Sequence, residues 1–213
     1  MRPARPRQSP PGFTLVEMLV VLAVIAGMMG LVSIFLFKAK DEGERKIAGA
    51  EIQQIKAAIS AYMNDPRRGA PPPTSLADEK VLLDNDFNLG IESLVVAFNA
   101  LEYDSESPFT REDRYANGDK DLSKVQLTKF GKKDLFEYLD QWHRPFIYFR
   151  LSDFERGKSG VQNYQLPDGI MIEVQPVKSD ALGTYAGMAD GYQIISLGPD
   201  GEFGTKDDVV SWK

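Results

Sequence analysis

Four carboxylates crowd the stretch SLGPDGEFGTKDDVVSWK at the C-terminus: Asp200, Glu202, Asp207 and Asp208. Acids this close repel one another unless water or a cation neutralises them. An oxygen-rich loop whose glycines let the backbone fold round an ion suits a hard cation such as Ca²⁺, which takes about six to eight oxygens at about 2.3–2.6 Å. The spacing is not that of an EF-hand, so loop chemistry alone leaves two readings open, a solvated acidic turn and a calcium loop. A second run, NGDKDLS, alternates oxygen donors at Asn117, Asp119 and Asp121. It lacks a terminal glutamate at the EF-hand distance and reads as a solvated loop.

The other chemically conspicuous carboxylate is Glu17, set in PPGFTLVEMLVVLAVIAGMMGLVSIFLF. As a helix, Phe13 to Phe37 would extend about 37 Å, enough to cross a bilayer with some tilt. The run exceeds the h-region of a secretory signal peptide, about 7–15 residues, and no small-residue cleavage site follows it. In an ordinary single-span anchor, Glu17 would simply lie near the headgroups. An ionisable group one turn into such a run is costly and calls for a partner. The amino group that cleavage after Gly12 would release on Phe13 is one. Arg2, Arg5 and Arg7 on one side face Lys38, Lys40, Arg45 and Lys46 on the other, so basic residues do not settle the orientation.

Composition narrows the classes of function. The 213 residues carry 25 basic and 31 acidic side chains, a net charge of −6, with no long basic block beyond the leader. An electrostatic nucleic-acid surface is therefore not expected. There is no cysteine, hence neither a disulfide framework nor thiolate metal ligation. The single histidine, His143, excludes His-cluster metal sites and leaves little room for a His-based triad. No catalytic role is expected.

The elements that must position these residues follow from periodicity. Ile52, Ile55, Ile59 and Tyr62 recur at helical spacing beyond the apolar run, and Asn64-Asp65-Pro66 ends the pattern. One N-terminal helix of roughly 50 residues results, about 75 Å if unbroken. NLGIESLVVAFNALEY places Ile91, Leu94, Val95, Phe98 and Leu101 on one face of a second helix, expected to lie on a sheet. Residues 104–134 are polar and turn-rich and read as a mobile surface insertion. PFIYFRL, GIMIEVQPV and GYQIISLG read as strands. The fold class is α+β: a long N-terminal helix, transmembrane in its first half, packed on a small antiparallel sheet.

Gly12-Phe13-Thr14-Leu15-Val16-Glu17 before an apolar helix resembles the processing motif of type IV pilins and pseudopilins. The resemblance implies that a prepilin peptidase cuts after Gly12 and N-methylates Phe13. It further implies that Glu17 pairs with the Phe13 amino group of a neighbouring subunit during assembly. Many members carry a proline about two-thirds along this segment; here Gly27 and Gly30 are the available weak points. Asp140, Trp142 and Pro145, with Ser196-Leu197-Gly198-Pro199-Asp200-Gly201 and Asp207-Asp208, are similar to the major pseudopilin of the type II secretion system. That group usually has glycine where His143 stands, a position read as structural.

The pseudopilin resemblance implies a C-terminal calcium-binding loop with Asp200, Asp207 and Asp208 as side-chain ligands and the carbonyl of Leu197 completing the shell. Glu202 stands outside that ligand set. It also implies a domain order: leader peptide 1–12, assembly helix 13–37, amphipathic continuation 38–65 and periplasmic globular domain 66–213. The implied function is that of a structural subunit stored in the bacterial inner membrane and polymerised into a pseudopilus that drives protein export across the outer membrane. Its implied partners are further copies of itself, minor pseudopilins, the peptidase, an inner-membrane assembly platform and lipid, with no nucleic acid. A type IV pilus subunit for adhesion, motility or DNA uptake is the alternative, and a membrane-anchored enzyme or ligand-binding domain a third. The acidic tail, and the lack of a cysteine-bounded C-terminal loop, favour the pseudopilin.

Overall fold

A computed structural model describes residues 12, 14–76, 86–154, 161–179 and 183–213; the expected leader residues 1–11 and Phe13 lie outside them. The chain divides into two compact units, Met1–Gly43 and Glu44–Lys213. One helix, α1, Leu15–Asn64, contributes to both.

In the first unit α1 is uninterrupted through Gly27 and Gly30. It is the one helix among the described residues long and apolar enough to cross a membrane. Its large apolar side chains, including Leu22, Met29 and Phe35, are exposed.

In the second unit Ala48, Ile52, Ile55 and Ile59 are buried, as the three-and-four spacing predicts, and the helix stops before Asp65-Pro66. The isoleucines share one core with Ile194 and Ile195. The second helix, α2, Leu89–Asn99, buries Ile91, Leu94, Val95 and Phe98 in the same core. Leu101, expected on that face, falls beyond the helix and is exposed. The reason is local. Asn99 Nδ2 donates back to the Val95 carbonyl at 2.9 Å, and Ala100 turns to an extended conformation that bridges Thr128. At Gly90 a Cβ would stand 2.2 Å from the Tyr148 carbonyl oxygen and 2.6 Å from the Tyr164 hydroxyl, so only glycine allows α2 to approach this closely.

Where one antiparallel sheet was expected, the described residues form three small ones. In the largest, β3 (Ile147–Arg150) pairs with β6 (Tyr192–Ser196), which pairs with β7 (Val209–Val210); Ile147 faces Ile195, and Ile195 faces Val210. β1 (Tyr115–Ala116) pairs with β2 (Glu137–Tyr138), and β4 (Gln162–Gln165) with β5 (Met171–Val174). The 104–134 segment also departs from expectation, being packed into the fold. Phe109 is buried against Phe98, Tyr115 and Tyr138, Phe130 packs on Tyr115, and buried Arg114 meets Glu51 at 3.3 Å. Its aromatic residues are scattered among polar ones without period, which is why the segment reads as solvated.

Ile55→Ala is expected to lower unfolding stability by about 2–5 kcal/mol, and Leu101→Ala by less than about 0.5 kcal/mol. Urea unfolding of the full chain in mild detergent checks the contrast.

Candidate functional site

At the head of α1, the Thr14 amide and hydroxyl each donate to Glu17 Oε2 at 2.8 Å, and the Glu17 amide donates to Thr14 Oγ1 at 3.2 Å. This is a capping box, in which threonine and a glutamate three residues on satisfy otherwise unpaired amides reciprocally. The Thr-x-x-Glu signature was present in the sequence, but a reading of Glu17 as a charge among lipid passed over it. Gly12 is exposed beside it.

The Asp140-x-Trp142-x-x-Pro145 segment forms the turn between β2 and β3. Asp140 is fully buried; its Oδ1 accepts the Trp142 and Arg144 amides at 2.9 and 3.0 Å, and its Oδ2 accepts the Ser196 hydroxyl at 2.6 Å. Burial pushes this carboxyl up, against the pull of those bonds. His143 is exposed at φ 60°, the left-handed region that glycine enters without strain, which fits its structural reading. Arg144 reaches from this turn to the carbonyls of Gly198 and Pro199 and so fixes the start of the C-terminal loop. Arg45 of α1 holds the loop's far side through the Lys206 carbonyl at 3.0 Å.

Between β6 and β7 this loop brings the expected ligand residues near one another. Leu197 is buried next to the last residue of β6. A Cβ on Gly198 would lie 2.4 Å from the Asp207 carbonyl oxygen and 3.1 Å from Asp207 Oδ2, so the chain reverses tightly here. Asp207 Oδ2 accepts the Asp200 amide at 3.3 Å, and Oδ1 accepts the Thr205 hydroxyl at 2.6 Å, which lowers the Asp207 pKa. Asp208 Oδ2 accepts the Gly204 amide at 2.9 Å, while Asp208 Oδ1 is buried with no hydrogen-bond partner. Burial above all, then Asp200 and Asp207, push Asp208 up to about 6. Glu202 is exposed, and its amide donates to Asp200 Oδ1 at 2.9 Å. The all-oxygen donor set and the orphaned Asp208 oxygen suit a hard cation.

A tighter acidic group lies elsewhere. Glu92 of α2, Asp119 and Glu137 of β2 each place a carboxylate oxygen within 4.8 Å of the others, an arrangement able to hold a metal ion. Among the described residues no other group of three does so, Asp200, Asp207 and Asp208 included. Glu137 is buried and accepts Asn88 Nδ2 at 2.8 Å and the Gly118 amide at 3.1 Å on both oxygens; desolvation pushes it up to about 7. The Asn117–Asp121 run reads in the sequence as a solvated loop, and nothing in the linear pattern around Glu92 points to a site.

Comparison with family models, with curated proteins and with solved structures returned no significant match. The pilin-like reading therefore rests on the motifs and the architecture.

Asp140→Ala removes three hydrogen bonds at once and leaves the Trp142, Arg144 and Ser196 donors without their partner; a loss of about 3 kcal/mol is expected in denaturant unfolding. A pH series supplies a second check. Glu137 and Asp208 hold protons to higher pH folded than unfolded, so their contribution is complete below about pH 4 and is lost as pH rises through the values near 7 and 6. With a chelator present, the melting temperature is expected to fall between pH 5 and pH 8, by about 2–4 °C for each kcal/mol lost. Glu137→Gln should flatten that slope.

Proposed function

We propose that this chain is a prepseudopilin, a structural subunit of a type II secretion pseudopilus. The observation that carries the reading is a single helix, Leu15–Asn64, with Glu17 in its first turn, five residues after Gly12. It is apolar enough at first to cross a membrane, and ends with an isoleucine face buried in an α+β unit. That plan suits a subunit stored in the inner membrane with its globular part in the periplasm and polymerised through the apolar helix. Prepilin peptidase cuts after Gly12 and methylates Phe13 in this reading. The neighbouring Phe13 ammonium then takes up Glu17, which the free subunit holds with Thr14. A carboxylate meeting an ammonium is tolerated among packed helices where an unpaired charge is not.

The C-terminal loop takes calcium in this reading, through Asp200, Asp207 and Asp208 with the Leu197 carbonyl. The ion would supply the positive charge that Asp208 Oδ1 lacks and hold the loop between β6 and β7. The chain performs no catalysis, and its partners are its own copies, minor pseudopilins and an inner-membrane assembly platform. Membrane lipid surrounds the stored subunit, and no nucleic acid takes part. Residue identities along the acidic tail favour this over a type IV pilus subunit.

Incubation of the full chain with a prepilin peptidase in detergent is expected to remove residues 1–12 and add one methyl group, read by intact mass. Glu17→Gln keeps an oxygen for the Thr14 amide but carries no charge. It should be processed normally and yet assemble at least about tenfold less, a deficit of about 1.4 kcal/mol. An uncleaved wild-type chain, or Glu17→Gln filaments at wild-type yield, would overturn the reading. Long extracellular fibres at native expression would replace it with the pilus.

A further inference from the structure

We propose that Glu92, Asp119 and Glu137 form a binding site for a calcium-sized divalent cation, separate from the C-terminal loop and independent of how that loop is read. Their carboxylate oxygens lie within 4.8 Å of one another. An ion with bonds of about 2.3–2.6 Å spans that separation. The observation that points to a ligand is Glu92. It is 0% exposed, both of its oxygens are buried without a hydrogen-bond partner, and it is aimed at the other two acids. A native fold rarely leaves a buried carboxylate with nothing to accept from. Asn117 Oδ1, on the loop that carries Asp119, is a second buried acceptor without a donor.

The charges around Glu92 sharpen the case. After burial itself, the groups that act on it are Asp121, Asp119 and Glu137, all acidic. Hydrogen bonds from Asn88 and Gly118 fix the orientation of Glu137 and leave its oxygens lone pairs to spare. The absence of nitrogen or sulfur ligands from the group disfavours zinc, and the number of oxygens favours calcium over magnesium. Asp119 is half-buried beside exposed Gly118 and Lys120, which gives an ion a way in from the 117–121 loop.

Asn117, Asp119 and Asp121 have the alternating spacing with which calcium loops begin. The closing glutamate that the sequence lacks at the usual distance comes from other elements, Glu137 from β2 and Glu92 from α2. A bound cation would tie this loop and the β1–β2 ladder to α2.

The test uses the full chain in mild detergent, stripped with chelator and dialysed against radioactive calcium. To remove the C-terminal loop from the count, the parent is Asp207→Asn/Asp208→Asn. That parent is expected to bind one calcium per chain, and adding Glu92→Gln should weaken the binding at least about tenfold. Melting separates ligation from mere structure. Without cation, Glu92→Gln should melt above its parent because repulsion is relieved; with calcium it should gain little, whereas the parent rises by several degrees. Should Glu92→Gln fail to fold, Asp119→Asn at the half-exposed position must show the same loss of calcium. A parent that binds no calcium, or a folded Glu92→Gln or Asp119→Asn that binds it as the parent does, would overturn the proposal. Failure of the C-terminal reading gives a different result: the wild-type chain and the parent would then bind equal amounts.

Discussion

Asp140 is the interaction on which the β part of this fold depends. A carboxylate removed from water must be given hydrogen bonds, a proton or a cation. Asp140 has the first solution in full: two amides of its own turn and the hydroxyl of Ser196 on β6. One side chain thereby sets the path from β2 into β3 and joins that turn to the neighbouring strand. From the same turn Arg144 extends to the Gly198 and Pro199 carbonyls, so the geometry of Asp140 propagates into the loop carrying Asp200, Asp207 and Asp208.

Three further buried acids can be ordered by how far the same requirement is met from within the chain. Glu137 has an amide side chain and a backbone N–H. Asp208 has one donor for one oxygen. Glu92 has neither oxygen satisfied by hydrogen bonding. Polar burial in this fold thus runs from self-sufficient to incomplete, and the incomplete positions are where chemistry from outside the chain has a place to act.

Much of the architecture was legible because helices of this length repeat their signals. The isoleucine spacing located the buried face of α1, Pro66 marked its end, and the apolar runs around Ile147, Ile172 and Ile194 located three strands. β1, β2 and β7, of two residues each, are too short to show alternation, which hid the division into three sheets. The packed interior of 104–134 was hidden because Phe109, Tyr115 and Phe130 have no common period and meet only in three dimensions. The C-terminal acids were visible as a local cluster. Glu92, Asp119 and Glu137 belong to a helix, a loop and a strand far apart in the chain, and no linear pattern brings them together. At Glu17 two signals overlap on one residue, the capping signature and a charge within an apolar run, and the second masks the first.

Gly90 bears on more than the packing of α2. With 2.2 Å between a would-be Cβ and the Tyr148 carbonyl, any other residue there must push α2 off β3. Glu92 stands two positions later on the same helix, so a displacement of α2 would draw its carboxylate away from Asp119 and Glu137. The glycine and the acidic group are thus tied together through the placement of one helix: the spacing of the three carboxylates depends on a side chain that is not there.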